Sequence, residues 1–399
     1  MSQYEVARRR VFYIPGYDPI HPRRYRELYR KEGALQADIS GYEVVLSPKQ
    51  GGGAYGWHVD ADIEGAEVEA DIDVLVWSDI VRGSMETGIV GTYKQLIETS
   101  YTYIASGALR RLMWLRKGPV IAALYPIVML LLQLVIACTV AWLIGRVASN
   151  FIGGFAWVAI ATVPLVLMWF RSKDNRIYAY YLMHDYAYSA QSKGANPPEL
   201  EARMAEFRAE IAAALQSDVD EVLVVGHSSG AHLGVSILAD LIRAGQVPGD
   251  GPKLGFLSLG QVVPMISFLP QAHRLRGDLQ FLSERDELTW VDVTAPGDGC
   301  AFALCDPVAV SGVATAQSRW PLVFSAAFTQ SLSPEKWQEM KRRYFRLHFQ
   351  YLCAFDRPKD YDYFQITAGP WTLATRYYDR PPSKSRIDVA ASKYTSVAA

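Results

Sequence analysis

Apolar residues follow two patterns along this chain of 399 residues: short runs bounded by turn residues, and two very long runs. The short runs are rich in Val, Leu, Ile and Phe, which is typical of buried strands. They predict strands over residues 11–14, 42–46, 73–77, 222–225, 254–259, 290–294 and 322–326. Helices are predicted over residues 22–32, 197–216 and 231–244. This order of elements predicts an α/β fold, in which one mainly parallel sheet is flanked by helices on both faces.

The two long apolar runs predict a transmembrane helical hairpin. Residues 118–145 are 28 consecutive uncharged residues, and residues 147–170 are 24 more, separated by the single charge of Arg146. Each run exceeds the roughly 20 residues that cross a bilayer core. Because the predicted connection over residues 146–150 is short, we expect two antiparallel spans whose backbone groups are bonded within each helix. Two buried core helices are the alternative.

Basic residues are concentrated outside this predicted hairpin. Seven flank it, whereas one lies in the predicted turn; the seven are Arg110, Arg111, Arg116, Lys117, Arg171, Lys173 and Arg176. The positive-inside bias therefore predicts that both flanks lie in the cytoplasm, at a membrane of the bacterial inner or plasma-membrane type. Association of several copies through the hairpin would also be possible.

Charge and cysteine content narrow the classes of function. The chain has 40 basic and 41 acidic residues and a net charge of -1, which argues against a nucleic-acid partner. Cys138, Cys300, Cys305 and Cys353 follow neither a disulfide framework nor a metal-ligand spacing. We therefore expect a reducing compartment and neither a metal nor a cofactor.

The most informative motif is G-H-S-S-G over residues 226–230, between a predicted strand and a predicted helix. A G-x-S-x-G turn in this setting exposes the serine hydroxyl, and Gly226 and Gly230 allow close approach of the backbone. The helix that follows directs its positive N-terminal end at any oxyanion formed there. Ser228 is therefore the candidate nucleophile. A Gly-Ser turn without catalysis is the alternative interpretation.

In this setting G-H-S-S-G resembles the nucleophile elbow of lipases and esterases in the α/β-hydrolase superfamily. The resemblance covers residues 11–16 and most of residues 221–368, and it omits the predicted hairpin. It implies a Ser-His-Asp triad in which nucleophile, acid and histidine follow one another in that order.

This order guides the choice of the general base and its carboxylate. A serine needs a base to accept its proton, and His348 is the histidine that follows the last predicted strand. Asp298 lies in the loop after the predicted strand 290–294, at the edge where such sheets have their active sites. Asp306 is the alternative acid. Asp292 is interpreted as a strand residue.

Two glycine-containing segments have different interpretations. The sequence Ile14-Pro15-Gly16-Tyr17 is similar to the family's oxyanion loop, although Pro15 stands where the family commonly has histidine. The resemblance implies that the backbone N–H groups of Tyr17 and Ser229 form an oxyanion hole. Residues 51–56 contain G-x-G-x-x-G, but no helix is predicted after them, so a loop beside the active site is expected rather than a dinucleotide site.

The sequence therefore predicts a membrane-anchored serine hydrolase that cleaves a lipid or other hydrophobic acyl ester. An acyltransferase or thioesterase would use the same triad, and a non-catalytic membrane-bound binding or scaffold protein is the alternative from another class. The expected organisation is a hydrolase domain in two parts, residues 1–109 and 177–380, with a hairpin at residues 110–176. Residues 381–399 are predicted to be a poorly ordered tail.

Overall fold

The computed structural model describes residues 5–398, except for the side chains of residues 152–156. The chain forms one eight-stranded sheet with the spatial order β2-β3-β4-β1-β5-β6-β7-β8. The strands are β1 (Arg8–Ile14), β2 (Glu43–Pro48), β3 (Gly56–Ile63), β4 (Ala66–Val74), β5 (Glu221–His227), β6 (Lys253–Leu259), β7 (Leu288–Thr294) and β8 (Leu322–Ser325). The predicted α/β class and the single sheet built from both parts of the chain are confirmed.

Strand β3 alone runs against the other seven strands. It pairs in antiparallel fashion with β2 and β4, whereas β4, β1, β5, β6, β7 and β8 are joined by parallel ladders. Strand β1 lies between β4 and β5. The connection after β1 leads to one side of the sheet, to β2, whereas the connection after β4 leads past β1 to β5 on the other side. Crevices at such a reversal point are the usual ligand sites of open parallel sheets.

Helices cover both faces of the sheet. The first part of the chain contains α1 (Arg23–Ser40), α2 (Ser78–Met85), α3 (Ile89–Ala105) and α4 (Ala108–Leu115), followed by α5 (Lys117–Ile152), α6 (Thr162–Ser172), α7 (Asp174–Ile177) and α8 (Ala179–Gln191). The second part begins with α9 (Pro198–Ala214), α10 (Ser229–Arg243), α11 (Val263–Ser267) and α12 (His273–Ser283). Short helices complete it: α13 (Pro307–Val310), α14 (Phe328–Ser331), α15 (Pro334–Met340), α16 (Tyr344–His348), α17 (Tyr363–Ala368) and α18 (Leu373–Arg376).

The central strands are buried on both faces because helices pack on each side. Val222 and Val224 of β5 contact the core layer that contains α9, α10 and α12. Leu223 and Val225 point the other way, into the layer that contains α1 and α17. This alternation explains why β5 is an uninterrupted apolar run in the sequence.

The apolar insertion differs from the predicted pair of equal spans. Helix α5 has 36 residues and continues through the predicted turn at residues 146–150. The chain turns back after α5, and both a 3-10 helix, Gly153–Ala161, and α6 pack against α5. Among the described residues, Lys117–Phe151 is the one helix long and apolar enough to cross a membrane, and 22% of its most apolar window is buried. A second span of similar length is not seen, because Trp157–Ser172 is a shorter apolar helix.

The strand predictions differ from the structure at two places. The strand predicted over residues 73–77 runs instead over Ala66–Val74, and strand β3 was not predicted. The C-terminal tail packs against the domain: Ile387 forms a bridge with Cys305, and the carbonyl oxygen of Ser396 accepts a hydrogen bond from Arg276. Residues 381–398 have little regular secondary structure, and these contacts connect them to the domain.

Candidate active site

The turn between β5 and α10 holds Ser228 in a left-handed backbone conformation, with φ 56° and ψ -120°. A non-glycine residue adopts this conformation only when its surroundings enforce it. Here two glycines permit it: a Cβ on Gly230 would lie 2.0 Å from the carbonyl oxygen of Ile14, and one on Gly226 would lie 2.6 Å from that of Gly230. Strand β5, helix α10 and the end of β1 therefore meet at van der Waals distance around Ser228.

His348 and Asp298, which lie 50 residues apart in the chain, are directly bonded. The His348 Nδ1 atom is 2.7 Å from the Asp298 Oδ2 atom. A carboxylate only accepts hydrogen bonds, so Nδ1 carries the proton, and Nε2 of the neutral ring is left as an acceptor. This is the tautomer that a general base requires.

The Asp298 carboxylate is held by two further donors. The Tyr351 hydroxyl donates to Oδ2 at 3.1 Å, and the backbone N–H of Cys300 donates to Oδ1 at 2.9 Å. Burial alone would raise the pKa of Asp298, but the proximity of His348 and these hydrogen bonds outweigh burial, so its pKa is lowered. Asp298 is therefore ionised at neutral pH and orients the ring of His348.

His227, the residue before the candidate nucleophile, also contacts His348. Its Nε2 atom is 2.9 Å from the carbonyl oxygen of His348, and the two rings lie 4.8 Å apart. Since a carbonyl only accepts, Nε2 of His227 carries the proton. Burial and the nearby His348 lower the pKa of His227 to about 3, so this ring stays neutral. It connects the end of β5 to the segment that carries the candidate base.

Ser228 and His348 line the same cavity, which has a volume of about 440 Å³. Two glycines leave room there: a Cβ on Gly16 would lie 3.4 Å from Ser228 Oγ, and one on Gly260 would lie 3.1 Å from His348 Cε1. Within the described chain, no hydrogen bond joins the Ser228 hydroxyl to His348. Hydrogen bonds of this kind are often long without substrate and tighten when it binds.

The candidate oxyanion donors flank Ser228. Neither the backbone N–H of Tyr17 nor that of Ser229 donates to an acceptor of the described residues. The Tyr17 segment is fixed from two sides, because Trp77 Nε1 donates to the carbonyl oxygen of Pro15 at 2.9 Å and the Tyr181 hydroxyl donates to that of Tyr17 at 2.5 Å. Both residues line the cavity, and their N–H groups have no acceptor among the described residues, as an oxyanion hole requires.

The insertion contributes to the wall of the cavity. Pro119, in the first turn of α5, and Asn175 and Tyr178, after α6, all line it. Helix α8 adds Tyr181 and further residues. Both ends of the apolar hairpin therefore border the space in front of Ser228.

The other candidate residues of the sequence do not line the cavity, and the two other candidate carboxylates have structural roles. Asp306 caps α13, because its Oδ1 atom accepts from the N–H groups of Val308 and Ala309. Asp292 is buried in β7 and accepts a hydrogen bond from the Ser258 hydroxyl at 2.6 Å. The glycine-rich segment connects β2 to β3 and does not line the cavity, contrary to expectation.

Asp298, Cys300 and His348 are close enough together to be considered as metal ligands. Burial and the neighbouring carboxylates raise the pKa of the Cys300 thiol well above its usual value, so it stays protonated. Asp298 and His348 are already bonded to each other, and Asp298 also accepts hydrogen bonds from the Tyr351 hydroxyl and the backbone N–H of Cys300. This donor set fits a hydrogen-bonded pair better than a metal site.

Four residues of the site were not identified from the sequence. His227 lies inside the G-x-S-x-G motif and could have been noticed there, whereas Tyr351, Tyr181 and Asp185 reach the site through tertiary packing. Tyr181 and Asp185 belong to a tyrosine-rich segment whose pattern is equally typical of a packed helix.

Comparison with protein-family models, with curated proteins and with solved structures yields no match.

Proposed function

We propose that this chain is a serine hydrolase of the α/β-hydrolase type that cleaves ester bonds through Ser228, His348 and Asp298. The proposal depends on one observation above all: the strained turn at Ser228 and the hydrogen-bonded pair of His348 and Asp298 border one cavity. Strain at a non-glycine residue beside a cavity is a feature of functional sites.

The reaction would proceed by acyl transfer. His348 Nε2 accepts the proton of the Ser228 hydroxyl as Oγ attacks the ester carbonyl, and Asp298 stabilises the imidazolium that forms. The N–H groups of Tyr17 and Ser229 donate to the oxyanion. The alcohol leaves with the proton from His348, and a water molecule then hydrolyses the Ser228 ester by the same steps.

A hydrophobic acyl substrate is supported by the surroundings of the cavity. Both ends of the apolar hairpin border it, and α5 exposes large apolar side chains such as Ile121, Val128 and Val135. Helix α3 also exposes Val90, Ile97 and Ile104, an apolar face that suits contact with a bilayer surface. An ester that partitions into the membrane would thus reach Ser228 over a short distance.

The membrane arrangement that we propose has two spans and a cytoplasmic catalytic domain. Helix α5 would be about 54 Å long, and the 3-10 segment with α6 about 34 Å, against a bilayer core of about 30 Å. The seven basic residues at the outer flanks favour the cytoplasmic side.

Labelling with a fluorophosphonate probe tests the catalytic proposal. We expect the wild type and Ser229→Ala to be labelled and Ser228→Ala to remain unlabelled, because only the hydroxyl at position 228 is activated. Circular dichroism establishes that each variant is folded. Folded wild type without label would favour the non-catalytic binding or scaffold alternative. Assays in detergent would then separate the three activities. Release of free acid from an oxygen ester indicates a hydrolase, transfer of the acyl group to added glycerol indicates an acyltransferase, and preference for a thiol ester indicates a thioesterase.

Cysteine accessibility tests the membrane proposal. In a Cys138→Ser background, Ser149→Cys places one exposed thiol near the turn of the hairpin, and Ser172→Cys places one at the C-terminal end of α6. With two spans, a membrane-impermeant maleimide added to intact cells should label position 149 and leave position 172 unlabelled until the cells are lysed. Equal labelling of both positions in intact cells would contradict this arrangement.

A further inference from the structure

The cavity contains a carboxyl group that the proposed reaction does not use. Asp185, on α8, lines the same space as Ser228 and His348 and is partly exposed to it. No donor among the described residues is hydrogen-bonded to its carboxyl. The two other cavity carboxylates are occupied: Asp18 accepts from the Tyr25 hydroxyl at 2.7 Å, and Asp174 accepts two backbone N–H groups of α8 at 2.9 Å.

The positive groups around Asp185 are already engaged. Arg24 pairs with Asp18 at 3.4 Å and lies 4.7 Å from the centre of the Phe349 ring. His348 is bonded to Asp298, while His227 and the Cys300 thiol are neutral at pH 7. Burial raises the pKa of Asp185 to about 7, and the nearby His348 partly opposes this rise. Above that pH the cavity therefore holds a carboxylate without a bonded cation.

Aromatic rings line the same cavity as this carboxylate. Tyr178 and Phe345 lie 4.9 Å apart, and Phe345 lies 6.1 Å from Tyr181, which in turn is 6.3 Å from Tyr17. The hydroxyls of Tyr17 and Tyr181 already have hydrogen-bond partners, which are Ser84 and the carbonyl oxygen of Tyr17. Ring faces near an anionic group attract an organic cation, and quaternary ammonium groups bind to such clusters.

We propose that Asp185 and the rings of Tyr17, Tyr178, Tyr181 and Phe345 recognise an ammonium group of the substrate. The preferred substrate would be an acyl ester of an amino alcohol, with its ester carbonyl at Ser228 and its cation beside Asp185. Asp185 determines specificity and takes no part in proton transfer. This inference rests on the proposed hydrolase function.

A pair of matched substrates measures the recognition. Butyrylcholine and 3,3-dimethylbutyl butyrate have the same shape, but the second has carbon in place of the charged nitrogen. At pH 8.5 we expect wild type to favour the cationic ester by about tenfold in kcat/KM, equivalent to about 1.4 kcal/mol. Asp185→Asn should bring this ratio close to one, and Phe345→Leu should lower it. Asp38→Asn removes the same charge from the exposed side of α1 and should leave the ratio unchanged.

The length of the acyl chain tests whether the substrate is a lipid or a small soluble ester. The same ratio is measured with palmitoylcholine and 3,3-dimethylbutyl palmitate in dodecyl maltoside micelles. A higher kcat/KM for the palmitoyl ester indicates a lipid substrate, and a higher value for the butyryl ester indicates a soluble one. A wild-type ratio near one for both chain lengths, or a ratio unaffected by Asp185→Asn, would overturn the inference. Maltoside is needed because detergents with ammonium head groups would compete for the site.

Direct binding separates this inference from the proposed reaction. Isothermal titration with phenyltrimethylammonium should show binding to the wild type that is weaker at pH 6 than at pH 8.5 and at least about fivefold weaker in folded Asp185→Asn. Binding without hydrolysis of any ester would refute the catalytic proposal and retain the cation site. Hydrolysis of neutral esters without phenyltrimethylammonium binding would refute the cation site alone.

Discussion

The Nε2 proton of His227 is donated to the carbonyl oxygen of His348 at 2.9 Å, so the residue before the candidate nucleophile holds the backbone of the candidate base. The Tyr13 hydroxyl lies 3.4 Å from the other nitrogen of the same ring. Because His227 is buried and neutral, it acts as a fixed donor in this contact. The position of the candidate base therefore depends on a residue that the proposed proton transfer does not use.

Replacing His227 tests this positioning role. His227→Phe keeps a flat ring but loses the donor, and we expect kcat for a p-nitrophenyl ester to fall about 10- to 100-fold with little change in KM. His227→Gln, whose amide can donate to the same carbonyl, should recover much of the loss. The pH profile of the Gln variant should keep its shape, because His227 does not titrate near neutrality. His273→Gln, at the start of α12, is the matched control. Equal loss in the Phe and Gln variants would contradict the role.

Asp298→Asn should reduce kcat about 10³- to 10⁴-fold without unfolding the protein. An asparagine side chain can hold the ring of His348 in the wrong tautomer, so that Nε2 is protonated and cannot accept from Ser228. The control is Asp306→Asn, since Asp306 accepts hydrogen bonds from Val308 and Ala309 and asparagine can still cap α13. If the Asp306 variant lost activity and the Asp298 variant kept it, the acid would have been assigned to the wrong residue.

Gly230→Ala should destabilise the protein by about 3 kcal/mol or more, because the new Cβ would overlap the carbonyl oxygen of Ile14. Thermal unfolding in detergent measures the effect. Gly83→Ala in α2 is the matched control, since its Cβ would meet nothing within 4 Å. That variant should be neutral or stabilised by about 0.5–1 kcal/mol. Similar unfolding temperatures for both variants would contradict the close approach of β1 and α10.

Asp292 should make stability fall as the pH rises. Burial raises the pKa of its carboxyl to about 8, above the value in the unfolded chain. A raised acid pKa means that the folded state binds more protons, so stability decreases between the unfolded and folded pKa values. Asp292→Asn should remove this pH dependence. The free energy of unfolding of the variant, relative to that of the wild type, should rise by on the order of 2 kcal/mol from pH 6 to pH 8. Denaturant unfolding of both proteins at pH 6 and pH 8 measures this change in stability. The same pH dependence of stability in the wild type and the variant would contradict the prediction.

The sequence was most informative where one local pattern determines the structure. Strand β5, the turn at Ser228 and helix α10 are contiguous, and their apolar run and glycines specify the bend without reference to the rest of the chain. The choice of His348 and Asp298 relied on chain order, and the structure brings these two residues to hydrogen-bond distance.

Other features depend on packing that a local pattern does not reveal. Strand β3 is an exception, because the alternation of Trp57, Val59 and Ile63 with polar residues is a local strand signal. It was missed because the strand is not a continuous apolar run. The turn of the hairpin was misplaced because hydropathy is nearly uniform from residue 118 to residue 170, so the single charge of Arg146 was given too much weight. Asp185 and Tyr181 approach Ser228 only after α6 returns along α5, and that return is a long-range event.

The position of the apolar hairpin within the chain has a consequence for biosynthesis. Strand β1 pairs with β4 on one side and with β5 on the other, and β5 is synthesised after the whole hairpin. While the hairpin leaves the ribosome, one hydrogen-bonding edge of β1 has no neighbour, and such edges promote aggregation. With the proposed insertion into the bilayer, the hairpin would tether the growing chain until β5 closes this edge, and membrane targeting would be coupled in time to completion of the sheet.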